Sequence, residues 1–287
     1  MSIILGNQEI TKGTLRIIGG TLRIAGPTLI SEDLNDNTGA MSPSNDIKPS
    51  GWDMSKTSGW TVYGATTTDS VGNNNRAWCF EHGQTGSGGT GPGGGMANDV
   101  GTTDGAWHNG GSGGNSSYRY MVLETSSPTG TSFAVKRHLI RTGAINFTEY
   151  GTLTLHFWFN FYGANTGKFG IAVSTRQSDA SSANEAGSGL GFTSDDAGGA
   201  TISYDSNGDG TLDASGVRIS GQQQSAGNSA GAAQGSTNKW RKATANITAA
   251  RGSSLGYVYF LGTTVATSQY YTGDMAIDNI SIIGTAP

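Results

Sequence analysis

The stretch from Thr152 to Tyr162, TLTLHFWFNFY, constrains the fold more than any other part of the chain. In an extended backbone, Leu153, Leu155, Phe157, Phe159 and Phe161 fall on one side. Thr154, His156, Trp158 and Asn160 fall on the other. A helix would scatter the five apolar residues around its circumference, whereas a half-buried strand collects them on one face. Phe169, Ile171 and Val173 repeat the pattern after the Tyr-Gly turn. The runs Tyr118–Glu124, Thr201–Tyr204, Val217–Ser220, Trp240–Ile247, Tyr257–Leu261 and Met275–Ile283 also read as strands, and no segment sustains a helical period.

The chain carries 47 glycines and only 13% charged residues, a balance that can leave a polypeptide disordered. Aromatic and β-branched residues placed in alternation argue for sheets joined by glycine-rich loops instead. The expected fold is all-β: a two-sheet antiparallel jelly-roll sandwich with a short N-terminal β arm.

Residues 13–27, GTLRIIGGTLRIAGP, contain a near-repeat of TLRI. Leu15 and Ile17 share one face, and Leu22 and Ile24 repeat it after the Gly19-Gly20 break. Such a hairpin is marginal by itself and needs a partner surface, either the chain's own body or a neighbouring subunit. Residues 31–50 read as a polar linker. The expected division is therefore an arm and linker at 1–50 and a sandwich at 51–287.

Three stretches, in this order, carry a family resemblance. The first is WCFEHGQTGSGGTGP with MAND and YRYMVLETSS; the second is LTLHFWFNFYGANTGKFGIAV; the third is GDMAIDNISIIG. Together, from about Trp60 to Ile283, they resemble the MAM domain, an extracellular adhesion module of concanavalin-like jelly-roll fold. The resemblance implies a binding or adhesive role. It also implies a second cation site near Asp99, Asp274 and Asp278. The chain departs from the family in having Cys79 as its one cysteine and in long loops at 83–114 and 179–199. In plain alternation, Asp278 falls with Ala276, Ile280 and Ile282. A carboxylate on that face needs a cation, a hydrogen-bond network or a bulge that turns it outward.

DSNGDGTLD places Asp205, Asn207, Asp209 and Asp213 at positions 1, 3, 5 and 9 of a calcium loop. Gly210 holds the turn position, and Thr211 can offer its carbonyl. Gly216 stands where a bidentate acid would close an EF-hand, and strand-like runs flank the loop. The reading is a hairpin loop around a structural Ca2+, with a polar turn as the alternative.

Catalytic patterns are poor. His82, His108, His138 and His156 are scattered without metal-ligand spacing, and no nucleophile elbow or phosphate loop is present. Glu81, Glu124 and Glu149 show no spacing that favours glycoside cleavage, so the expectation is no enzyme and no catalytic residue. Trp52, Trp60, Trp78 and Trp107 sit among glycine and polar residues and are candidate glycan contacts, with core plugging as the other reading. A net charge of −4 without a basic cluster argues against nucleic acid, and no run is long and apolar enough for a membrane span.

MSIILGNQEITKG lacks the features of a secretory signal. An adhesion-type fold without a signal or disulfides matches bacteriophage virion proteins, by analogy of composition and fold. The expectation is a virion structural protein, a tail or head fibre or a capsid decoration. It would be assembled in the host cytoplasm and carried on the virion exterior. Residues 1–50 would join other virion proteins and form a homo-oligomer, a trimer by preference, and host surface glycan is a possible ligand. The alternatives are a bacterial carbohydrate-binding or adhesion module and, behind it, a glycan-cleaving jelly roll.

Overall fold

The computed structural model describes the backbone of residues 3–5, 8–10, 16–17, 20–21, 28–32, 61–63, 78–82, 119–123, 137–175, 199–224, 240–263, 265 and 273–285, and the side chains of 78, 120–123, 139–175, 199–224, 240–263, 265 and 273–285. Its strands run in chain order as follows. The N-terminal strands are β1 (Ile3–Leu5), β2 (Gln8–Ile10), β3 (Arg16–Ile17), β4 (Gly20–Thr21) and β5 (Thr28–Glu32). Then come β6 (Thr61–Tyr63), β7 (Trp78–His82), β8 (Arg119–Leu123), β9 (Arg137–Arg141), β10 (Leu153–Tyr162) and β11 (Lys168–Ser174). The chain closes with β12 (Ile202–Tyr204), β13 (Ala214–Gly216), β14 (Ile219–Ser220), β15 (Arg241–Asn246), β16 (Tyr257–Thr263) and β17 (Asp274–Gly284).

Two antiparallel sheets make a sandwich, as alternation in the sequence requires. The larger runs β13-β12-β15-β10-β17-β8-β7, with β5 also paired to β17; the smaller runs β14-β11-β16-β9-β6. Leu153, Leu155, Phe157, Phe159 and Phe161 are all buried between the sheets. There they meet Phe169, Ile171, Val258 and Phe260 of the smaller sheet. The Phe157 ring lies 5.5 Å from Phe169 and 6.5 Å from Phe260. Burying a phenylalanine this fully is worth about 2–3 kcal/mol. Trp78 enters the same core, edge-on to Phe169 at 6.0 Å. It finds room because residue 262 of β16 is glycine, where a Cβ would run into Leu123 and Trp78.

Several local expectations change. The strand expected at Val217–Ser220 shortens to Ile219–Ser220, which is β14 and pairs with β11 in the smaller sheet, while an unexpected strand, β13, precedes it in the larger one. The arm hairpin is described only at Arg16–Ile17 and Gly20–Thr21. Arg16 pairs with Thr21 and Ile17 with Gly20, so Gly20 stands in a strand rather than in the turn. A second hairpin, β1–β2, precedes it. Leu15, Leu22 and Ile24 lie outside the described residues. Finally, β5 falls within residues 1–50 yet pairs with β17 of the sandwich, so the sheet reaches across the expected domain division at its first strand.

Where β15 stops, the edge of β10 is completed by a side chain. The Gln224 amide accepts a hydrogen bond from Phe161 N–H at 2.7 Å and donates to the Phe159 carbonyl at 3.2 Å. Both are bonds that a neighbouring strand would otherwise make.

Candidate functional site

Two groups of polar side chains stand out, one on the outer face of the larger sheet and one in the β12–β13 loop. The first depends on a bulge. His156 stands opposite Ser281, but Trp158 stands opposite Asp278, so two residues of β17, Asn279 and Ile280, share the place across from Phe157. Asn279 has a φ of +46°, a left-handed conformation that asparagine tolerates better than other side chains with a Cβ. The extra residue reverses the alternation of everything before it. Met275 and Ile277 therefore point into the core with Ile280 and Ile282, while Ala276 lies on the outer face with Tyr120, Val122, Trp158 and Trp240.

Asp278 and Asp274 share the outer side with Ala276. Of the three solutions set out for Asp278, a bulge is present. Its carboxylate accepts a hydrogen bond from the Asn279 N–H at 2.7 Å, and both aspartates are fully buried. Across the strand, Trp158 faces Asp278, Asn160 faces Ala276, and Tyr162 faces Asp274. Trp240 packs edge-on to Tyr120 at 5.9 Å. The result is a row of two buried carboxylates, one buried amide and the buried rings of Trp158, Trp240 and Tyr120, with the part-buried Tyr162 beside it.

Asp274 and Asp278 thus stand on one face of the same strand, four residues apart. Asp99 lies outside the described residues.

The second group is the loop that joins β12 to β13. Asp205, only 2% exposed, is its hub. One carboxylate oxygen accepts N–H groups of Asn207 and Gly208 at 3.2 and 2.6 Å, and the other accepts Gly210 N–H at 2.9 Å. Gly208 and Gly210 have φ values of +84° and +88°, which a side chain would resist. Asn207 Oδ1 accepts Asp209 N–H, and Asp209 Oδ1 accepts Thr211 N–H at 2.7 Å. The Thr211 N–H holds the exposed Asp209 carboxyl below the usual carboxylate range. Asp213 turns back to accept both the N–H and the hydroxyl of Ser206.

Arg241 closes the loop from below, donating from Nη1 to the Ser206 carbonyl. Burial pulls its guanidinium below its usual value, and the charges of Asp205 and Asp213 pull it back up. The donor chemistry of the loop suits calcium, but its arrangement is that of a turn closed on its own amides. Among the described residues no three His, Cys, Asp or Glu side chains group closely enough to hold a metal.

Trp78 is fully buried and presents no face to a glycan; it plugs the core. Trp52, Trp60 and Trp107 lie outside the described residues. Sequence reasoning missed Asn279, Arg241 and Gln224. Nothing local announces the last two, whereas the misfit of Asp278 in its alternation was a usable sign of the bulge.

No protein-family model matches the chain, and no curated protein matches its sequence. Solved structures give distant likenesses. The K1 cleaved adhesin domain of Lys-gingipain from Porphyromonas gingivalis is 14% identical, with a TM-score of 0.41 over 91% of this chain and 100% of that one. The K3 domain of the same protein gives 14% and 0.40 over 90% of this chain and 100% of that one. A protein of Bacteroides thetaiotaomicron proposed to bind sugar gives 14% and 0.38 with the same coverage. Likenesses of this size leave function to the chain's own residues.

Proposed function

We propose that the chain is a non-enzymatic β-sandwich module of adhesion type that recognises carbohydrate. The supporting observation is the outer face of the larger sheet, where Trp158, 8% exposed, and the part-buried Tyr162 stand over the buried Asp274, Asp278 and Asn160. Flat rings at such a face can cover the C–H side of a sugar, while the buried acids and amide beneath them hold the rings in place. A glycan array followed by calorimetry on the full chain tests the reading. Binding in the micromolar to millimolar range that Trp158→Ala weakens at least tenfold is expected. Binding untouched by Trp158→Ala, with Asp278→Asn also silent, moves recognition off this face.

A second reading draws on a different observation. The hairpins β1–β2 and β3–β4 form two-stranded sheets of their own, as an assembly arm would. On this reading the chain is a virion structural protein whose residues 1–50 join it to other copies. Light scattering of the full chain separates the two: a defined oligomer is expected of the second reading and a monomer of a solitary binding module.

A further inference from the structure

The strand that completes the larger sheet comes from the N-terminal segment. β17 gives one edge to β10 and divides the other: its first part, Met275 to Ile277, pairs with β8, and its second part, Ile280 to Ile283, pairs with β5. Ile280 and Ile282 are fully buried beneath that second part. Without β5, β17 would expose an open edge directly above apolar core, which is the usual template for pairing with another chain. The sandwich therefore needs a β5. Nothing in the pairing requires that it be its own.

Chain connectivity favours exchange. From the end of β5 at Glu32 to the start of β6 at Thr61 the chain has ample length, because an extended segment of nearly thirty residues reaches on the order of 90 Å. Before β5 stand the two hairpins, which among the described residues are hydrogen-bonded within themselves and to no strand of the sandwich. Two-stranded hairpins are marginal in water unless another surface covers them. If copies of the chain cover one another's hairpins, β5, which begins a few residues after β4, is held at their junction, within reach of a neighbour's β17.

We propose that β5 is donated between copies, so that each sandwich is completed by the N-terminal strand of its neighbour. This inference rests on the assembly role of residues 1–50 and not on carbohydrate recognition.

The register supplies the test. Ser31 stands opposite Ser281, and Thr28 opposite Ile283. In full-length chain with Cys79→Ser, which removes the native thiol, the pair Ser31→Cys with Ser281→Cys is oxidised and run on a non-reducing denaturing gel. Thr28→Cys with Ile283→Cys serves as an independent pair should the first variant fold poorly. Exchange predicts covalent dimers or a higher ladder as the main product, unchanged on tenfold dilution before oxidation. Intrachain disulfide in a chain that scatters light as an oligomer overturns the exchange while leaving the assembly role intact. Intrachain disulfide in a monomer overturns both. No disulfide from either pair overturns the pairing itself.

Discussion

β10 and β17 run side by side at the centre of the larger sheet, yet they treat alternation differently. β10 keeps its period from Leu153 to Tyr162, and every second residue is core. β17 keeps it only up to Asp278, slips one residue at Asn279, and resumes on the opposite phase. The slip lets one strand carry Met275, Ile277, Ile280 and Ile282 inward while Asp278 stays out of the hydrophobic layer. The comparison teaches that an acid out of phase in an apolar strand marks a displaced backbone as readily as a ligand.

Removing the slip should break this contrast most severely. Deleting Asn279 forces either the Asp278 side or the Ile280 side of β17 onto the wrong face, and no cooperative thermal transition is expected. Asn279→Gly should stay within about 0.5 kcal/mol of the parent, because glycine accepts the left-handed backbone. Asn279→Val should cost about 1–3 kcal/mol. A deletion variant that melts like the parent would show that the bulge does not set the register.

The two faces of β10 can be separated next. Phe157→Ala empties a site ringed by Phe159, Phe169 and Phe260 and should cost about 3–5 kcal/mol in urea denaturation. Thr154→Ala, on the half-exposed outer side, should stay within about 0.5 kcal/mol. Similar losses for both would contradict the one-sided core.

Asp205→Ala sharpens the comparison between an acid held by backbone geometry and one held by metal. It strips three part-buried N–H groups of their acceptor and should cost about 1–2 kcal/mol, in chelator as much as in millimolar calcium. A loss seen only in calcium, or a calcium-dependent rise in melting temperature that Asp209→Ala removes, would favour the metal-loop reading.

The smallest effect concerns His156, on the outer side of β10, where burial lowers its pKa below 6.5. As pH falls below about 6.5 the unfolded chain takes up the proton first. The stability in question is therefore complete above that value and is lost as pH falls through the lowered pKa of the folded state. His156→Gln should flatten this dependence between about pH 7.5 and 5, measured by denaturant midpoints; an unchanged slope would place the titrating group elsewhere.

Much of the sandwich was legible because strand alternation is local. The ladders of β10, β11, β12, β15, β16 and β17 follow runs that can be read within ten residues or so. β9, RHLIR, was missed because its arginines mask a short apolar centre. β13 was missed because Ala-Ser-Gly carries no strand propensity and is placed by pairing with β12. The candidate site was less legible. Asp205 and Asp278 were singled out as cation-site candidates, but their surroundings in the structure come from Arg241, from the loop's own amides and from an extra backbone residue.

The sequence by itself determined which residues of β10 and β11 face the core, because period two is a property of a few neighbouring residues and water penalises the wrong face. It also determined the sharp turns of the Asp205–Asp213 loop, through its glycines and short oxygen side chains. Only the tertiary structure decided that Trp78 is core, that β14 leaves its neighbour's sheet, that β5 completes β17 and that Asn279 reverses a strand. Each of these depends on a partner far away in sequence, and the free energy that selects among them is gained only when the two sheets close on one another.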